Sequence, residues 1–150
     1  MTQNLNQFKP TTEKGALDLA INWNLYDCRI DPNSTADFTN ANGFAVKLVS
    51  IAGSKNIIVD LATNATDKIF GFIPLETKTN SYSKGDFIRV GSSAVTMQME
   101  ASAAINGGAD IEIVPTGNKV VTKTTGTSVG TALTSAVAGG DLIKVLIKTL

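Results

Sequence analysis

The chain has 150 residues, 13 Lys+Arg balanced by 13 Asp+Glu, no His and one Cys, and it is 43% hydrophobic but only 6% aromatic. One domain of this size hides roughly 68–70% of the surface its unfolded chain exposes, so a real core is within reach. Zero net charge argues against a general nucleic-acid binder, the lack of His removes the commonest general base and the Ser-His-Asp triad, and Cys28 alone excludes a disulfide framework.

The opening stretch, MTQNLNQFKPTTEKG, has no apolar segment of the secretory type, and no run approaches the roughly 20 apolar residues of a membrane span. These features predict a protein made in a reducing cytoplasm, with no membrane partner and with Cys28 as a small packing residue.

Residues 1–42 hold Lys9, Lys14 and Arg29 against Glu13, Asp18, Asp27, Asp31 and Asp37, and they are polar apart from an apolar island at 17–28. Within that island Leu19, Ile21, Trp23 and Leu25 alternate with Ala20, Asn22, Asn24 and Tyr26, the period-2 signature of a half-buried strand. The following RIDPNSTADFTNANG reads as loop or linker. Two readings of the island stand side by side: an arm whose large aromatics dock on a partner, or an edge strand of the same domain.

From Gly43 the pattern changes to short β-type runs. GFAVKLVSIAG and NIIVDLAT are two, joined by a turn at Ala52-Gly53-Ser54-Lys55; IFGFIPLET is a third, with Pro74 expected at a strand end or bulge. DFIRV follows the TKTNSYSKG turn. AVTMQME alternates cleanly, with Val95, Met97 and Met99 on one face; ADIEIVP and KVVTKTT come next, separated by Thr116-Gly117-Asn118. SVGTALTSAVAGGDLIKVLIKTL starts with small residues, with a short helical turn as one reading of ALTSAVA, and closes in a strand with Ile143, Val145 and Ile147 on one face, expected inside the sheet. Regular short strands with little helix predict an all-β chain: a small compact β-barrel or sandwich over residues 43–150, behind an extended N-terminal arm over 1–42.

Chemistry is sparse. Asp110 and Glu112 share one strand face and, with Glu100, have the residue types of an acid/base pair or a hard-metal site, yet nothing supplies further ligands; an ordinary solvated face accounts for them. TTGTSVGTAL lacks the GxxxxGK[ST] pattern. Lys119, Lys123, Lys144 and Lys148 fit an edge protected against aggregation. No catalytic, cofactor or metal site is predicted. Thr, Ser and Asn give a neutral, hydroxyl-rich surface suited to packing against identical neighbours.

Residues 43–150 resemble the bacteriophage capsid decoration (head cement) proteins. The resemblance rests on the order of GFAVKL, IFGFIPLETKTNSYSKGDFIRV and SAVTMQMEASAAINGGADIEIVPTGNKVV. Above all it rests on VGTALTSAVAGGDLIKVLI, which looks like that family's closing G-x-A-L-x-A-A-A-G-D-x-I-x-V-L-L stretch. It implies a non-enzymatic virion protein on the capsid exterior, assembled in the host cytoplasm, often homotrimeric, bridging major capsid protein subunits and stabilising the head. The long residues 1–42 depart from the family's minimal pattern; Leu19, Ile21, Trp23, Leu25 and Tyr26 are the expected capsid contacts, so truncating residues 1–28 is expected to abolish head binding and leave a folded barrel. The alternative is a head-fibre, tail or adhesin-type module binding a host-surface glycan, with Tyr82 beside Asn80 as its candidate aromatic.

Overall fold

The computed structural model describes residues 14–16, 24–75 and 81–149, and all the secondary structure among them is β. The strands are β1 (Leu25–Ile30), β2 (Ala45–Leu48), β3 (Ile57–Leu61), β4 (Ile69–Phe72), β5 (Phe87–Gly91), β6 (Thr96–Glu100), β7 (Asp110–Ile113), β8 (Val120–Thr122), β9 (Gly130–Ala132) and β10 (Leu142–Ile147).

They form two five-stranded units rather than one barrel. The first closes on itself in the order β1-β3-β2-β4-β5; the second is a sheet in the order β6-β10-β9-β7-β8. A parallel bridge between Ala101, just past β6, and Val120 of β8 brings the outer strands of that second sheet towards each other. β1 pairs parallel with β3 and antiparallel with β5. It is therefore neither an arm nor an edge: residues 25–30 close the first barrel.

The polar stretch after β1 also belongs to the body. Phe38 and Ala41 are buried with Cys28, Ile30, Val46, Val59 and Ile73 in the first core, and Ser34 Oγ donates to Asp60 at 2.6 Å. An Asn/Asp-rich segment can cover a core because its side chains satisfy its own backbone: Asp31 accepts from the Asn33 N–H and Asp37 from the Thr39 N–H, both at 2.9 Å.

The alternation seen in the sequence sets the second core. Met97 and Met99 face inward opposite Val145 and Ile143 of β10, which is flanked by β6 and β9 and so lies inside its sheet. ALTSAVA forms no helical turn; Ala136 instead bridges Ile105 across the core edge. Small residues suit β9 because a Cβ on Gly130 would stand 2.4 Å from the Leu146 carbonyl oxygen. β4 is buried along its whole length, with Ile69 and Phe72 in the second core and Phe70, together with Ile73 just past the strand, in the first, which explains its unbroken IFGF run.

Lys14–Ala16 fastens the two units together. The Gly15 N–H donates to Gln98 O (2.7 Å), the Gln98 N–H to Ala16 O (2.8 Å), and the Leu75 N–H to Gly15 O (2.8 Å), so three residues pair with the end of β4 and the outer side of β6 at once. Gly15 sits at φ +77, and a Cβ there would lie 2.8 Å from the Gly43 nitrogen, so the close crossing requires glycine. Lys14 lies over the Phe44 ring at 4.9 Å and pairs with Glu100 at 3.8 Å; burial pulls its ammonium below the usual range, and Glu100 offsets part of that.

Candidate contact surfaces

The carboxylates do not make a reactive pair. Asp110 is exposed, but Glu112 is 6% exposed because the loop after β8 folds over it. Its carboxylate accepts from the Gly126 N–H (2.6 Å), the Thr124 N–H (3.1 Å) and the Thr124 hydroxyl (3.2 Å). The solvated face expected for Glu112 is thus corrected to a buried anchor. Its donors come 12–14 residues later, beyond what strand periodicity shows. Glu100 is held by Lys119 at 2.8 Å as well as by Lys14. Among the described residues no group of three His, Cys, Asp or Glu is placed to hold a metal.

Cys28 is 1% exposed inside the first barrel, and burial pushes its thiol up to about 12, with the Asp27 carboxylate adding to the effect. Such a thiol is a packing group rather than a nucleophile. The four lysines do not share an edge. Lys119 sits in the β7–β8 turn, Lys123 follows β8, and Lys144 lies on β10, an interior strand. Tyr82 is half-buried against the first core and bridges Phe38, so it is not an exposed stacking platform.

Of the predicted contact residues, Leu19, Ile21 and Trp23 lie outside the described residues. Leu25 is half-buried, and Tyr26 is 42% exposed with its ring tilted against Phe70 at 5.4 Å between centroids. Both sit on β1 beside a more open feature that sequence reading passed over. The ladder pairs Arg29 with Phe87 and Asp27 with Arg89, placing all four side chains on the outward face. Phe87 is 67% exposed; the Arg29 guanidinium lies over its ring at 5.7 Å and is fixed by Nε donating to Gly85 O at 3.0 Å. Asp27 and Arg89 pair at 3.8 Å beside a shallow depression of about 390 Å³ lined with Phe87 and Ile88. An aromatic clamped by a guanidinium and ringed by charge has the composition of a protein-contact hot spot. The available signal was the out-of-phase Phe in DFIRV, whose partners Ile88 and Val90 take the inward face.

A second exposed apolar set lies on the β9–β10 hairpin: Leu133, Leu142 and, in the connecting turn, Val137 at 88%. Nothing in either surface resembles a catalytic arrangement; both are suited to association.

No family model matches the sequence, and no curated protein matches it. Among solved structures, the fold is similar to the N base of the head fiber gp8.5 of bacteriophage phi29, with a TM-score of 0.51 and 18% identity over 84% of this chain and 96% of that one. At that identity the likeness is one of fold.

Proposed function

We propose that the chain is a non-enzymatic structural protein of a phage virion, seated on the outside of the head and acting by contact with the major capsid protein. The observation that carries this reading is the fold likeness, which takes in nearly the whole of a head-fiber base. The outward Phe87–Arg29 surface supports it, since contact needs an exposed anchor and no chemistry.

Two modes fit within that reading: a decoration protein that bridges capsid subunits and stabilises the shell, or the base on which a head fibre stands. The likeness to a head-fiber base favours the second over a tail or glycan-binding adhesin module. In either mode a homotrimer would gain avidity from three weak contacts and stabilise the shell by mass action. Leu19, Ile21 and Trp23, continued by Leu25 and Tyr26, are proposed as further capsid contacts.

Mixing the purified protein with undecorated heads and imaging them, beside a mass measurement of the free protein, tests the proposal. Added density on the outer head surface at symmetric positions is the expected result. A protein that leaves heads bare at concentrations far above those in a lysate refutes it. Truncation of residues 1–28 is a poor test, because it deletes Leu25–Cys28, most of β1, and opens the barrel; Ile21→Ala with Trp23→Ala leaves the ladder in place.

A further inference from the structure

Two exposed lysines line one recess at the seam between the units, and neither is paired with a carboxylate among the described residues. Lys68, at the end of the loop before β4, and Lys148, one residue past β10, line a recess of about 210 Å³ together with Ile69, Thr127, Ser128 and Thr149. They come from different units, yet backbone pairing fixes the walls: the Lys148 N–H donates to Val129 O at 2.9 Å, and the Thr127 N–H to Ala65 O at 2.8 Å. The Thr149 hydroxyl donates to Phe70 O at 2.8 Å and lies 3.0 Å from Ser92 Oγ, while the Thr127 hydroxyl reaches Thr66 O at 3.5 Å. Ile69, 3% exposed, is the buried member of the lining.

Neither lysine makes an ion pair among the described residues. Asp67, the neighbour of Lys68, is committed elsewhere: it pairs with Lys47 at 3.3 Å and accepts from the N–H groups of Thr63 and Asn64. Two ammonium groups lining one concave, partly apolar recess focus a positive potential outward, which favours an arriving anion. Size narrows the ligand. The recess, at about 210 Å³, is smaller than the roughly 300 Å³ at which small-molecule pockets begin, so it suits a small anionic group better than a large ligand. Ser128 adds a hydroxyl donor to the lining beside the two ammonium groups' stems, a combination suited to an oxyanion.

We infer that this recess receives the carboxylate of a Glu or Asp side chain projecting from the protein surface on which the molecule docks. The occupant's origin rests on the contact function proposed above; the chemistry of the recess does not.

The test uses backbone-amide NMR of the full chain at low salt, titrated with N-acetylglutamate N-methylamide, its glutamine analogue and N-acetylneuraminic acid. Saturable shifts at Ile69, Ser128, Lys148 and Thr149 are expected with the glutamate compound and not with the glutamine one. In K68Q/K148Q the affinity falls by at least roughly tenfold, the loss of one to two charge-assisted contacts. No shift with the glutamate compound overturns the inference, as does a response to the sugar acid alone. On heads, K68E/K148E is expected to bind at least roughly tenfold more weakly than the unaltered chain. Equal binding by the two overturns the role of the recess while leaving the contact function standing. If the unaltered chain binds no head, the contact function fails, and the glutamate titration still decides the recess.

Discussion

Replacing Glu112 by Ala isolates the buried carboxylate that holds the loop after β8. The substitution removes the acceptor of two backbone N–H groups and one hydroxyl. Gly126 is buried, so its N–H is left without a partner, at a cost of about 1–3 kcal/mol. Thr124 is exposed and recovers most of its loss from water. Lost packing of the Glu stem adds about 1 kcal/mol, for a total near 3 kcal/mol. With a urea dependence of about 2 kcal/mol per molar, the unfolding midpoint should fall by about 1.5 M. Glu112→Gln can keep its amide oxygen on the Gly126 and Thr124 N–H groups and turn its NH2 to the Thr124 hydroxyl, which can accept, so well under half that loss is expected. Asp110→Ala, exposed on the same strand, should stay within about 0.5 kcal/mol. Amide exchange supplies the local readout: the Gly126 and Thr127 amides should exchange faster in Glu112→Ala than global destabilisation alone explains, because the Thr127 N–H to Ala65 O bond depends on the loop's position. A loss below about 1 kcal/mol, or unchanged exchange at Gly126, would refute the anchor.

Other perturbations separate fold from contact. Gly71→Ala puts a methyl 2.3 Å from the Gly91 carbonyl oxygen, at the place where the single Phe72–Gly91 pair joins β4 to β5, and should cost about 3 kcal/mol or more by thermal melt. Gly53→Ala, at φ +76 in open space, should cost only about 1–2 kcal/mol, and an equal loss at both positions would contradict the close-approach argument. Because the Cys28 thiol titrates near 12 in the folded chain and at 9.0 when unfolded, its contribution is intact below pH 9 and is lost as pH rises towards 12. Cys28→Ala should flatten that alkaline decline, and prompt reaction of native Cys28 with a thiol reagent at pH 8 would show the burial to be wrong. Phe87→Ala should leave stability within about 0.5–1 kcal/mol, since only the Arg29 contact is lost, while weakening head binding; unchanged binding would remove Phe87 from the interface.

The sequence made local periodicity plain and long-range pairing invisible. Val95, Met97 and Met99, and Ile143, Val145 and Ile147, are inward faces in the fold as in the alternation. The division at 42/43 followed composition, and composition misled because Asp31 and Asp37 use their side chains to turn a polar segment over Phe38 and Ala41. The two-unit organisation had no local signature, since β1 finds β3 and β5 across long separations and the residues between look like loop. Lys68 and Lys148 each read as ordinary strand-flanking charges; only the seam between units makes them neighbours.

The Lys14–Ala16 fastening also orders events in time. Its partners, Leu75 and Gln98, leave the ribosome after it does, so Lys14–Ala16 cannot hold both until the chain has been made past Gln98. Until then the outer side of β6 at Gln98 and the end of β4 are open to any other extended chain, including the same segment of a second copy. A three-residue segment thus ties two distant parts of the chain, and a chain that stops short of Gln98 cannot lock the first unit to β6.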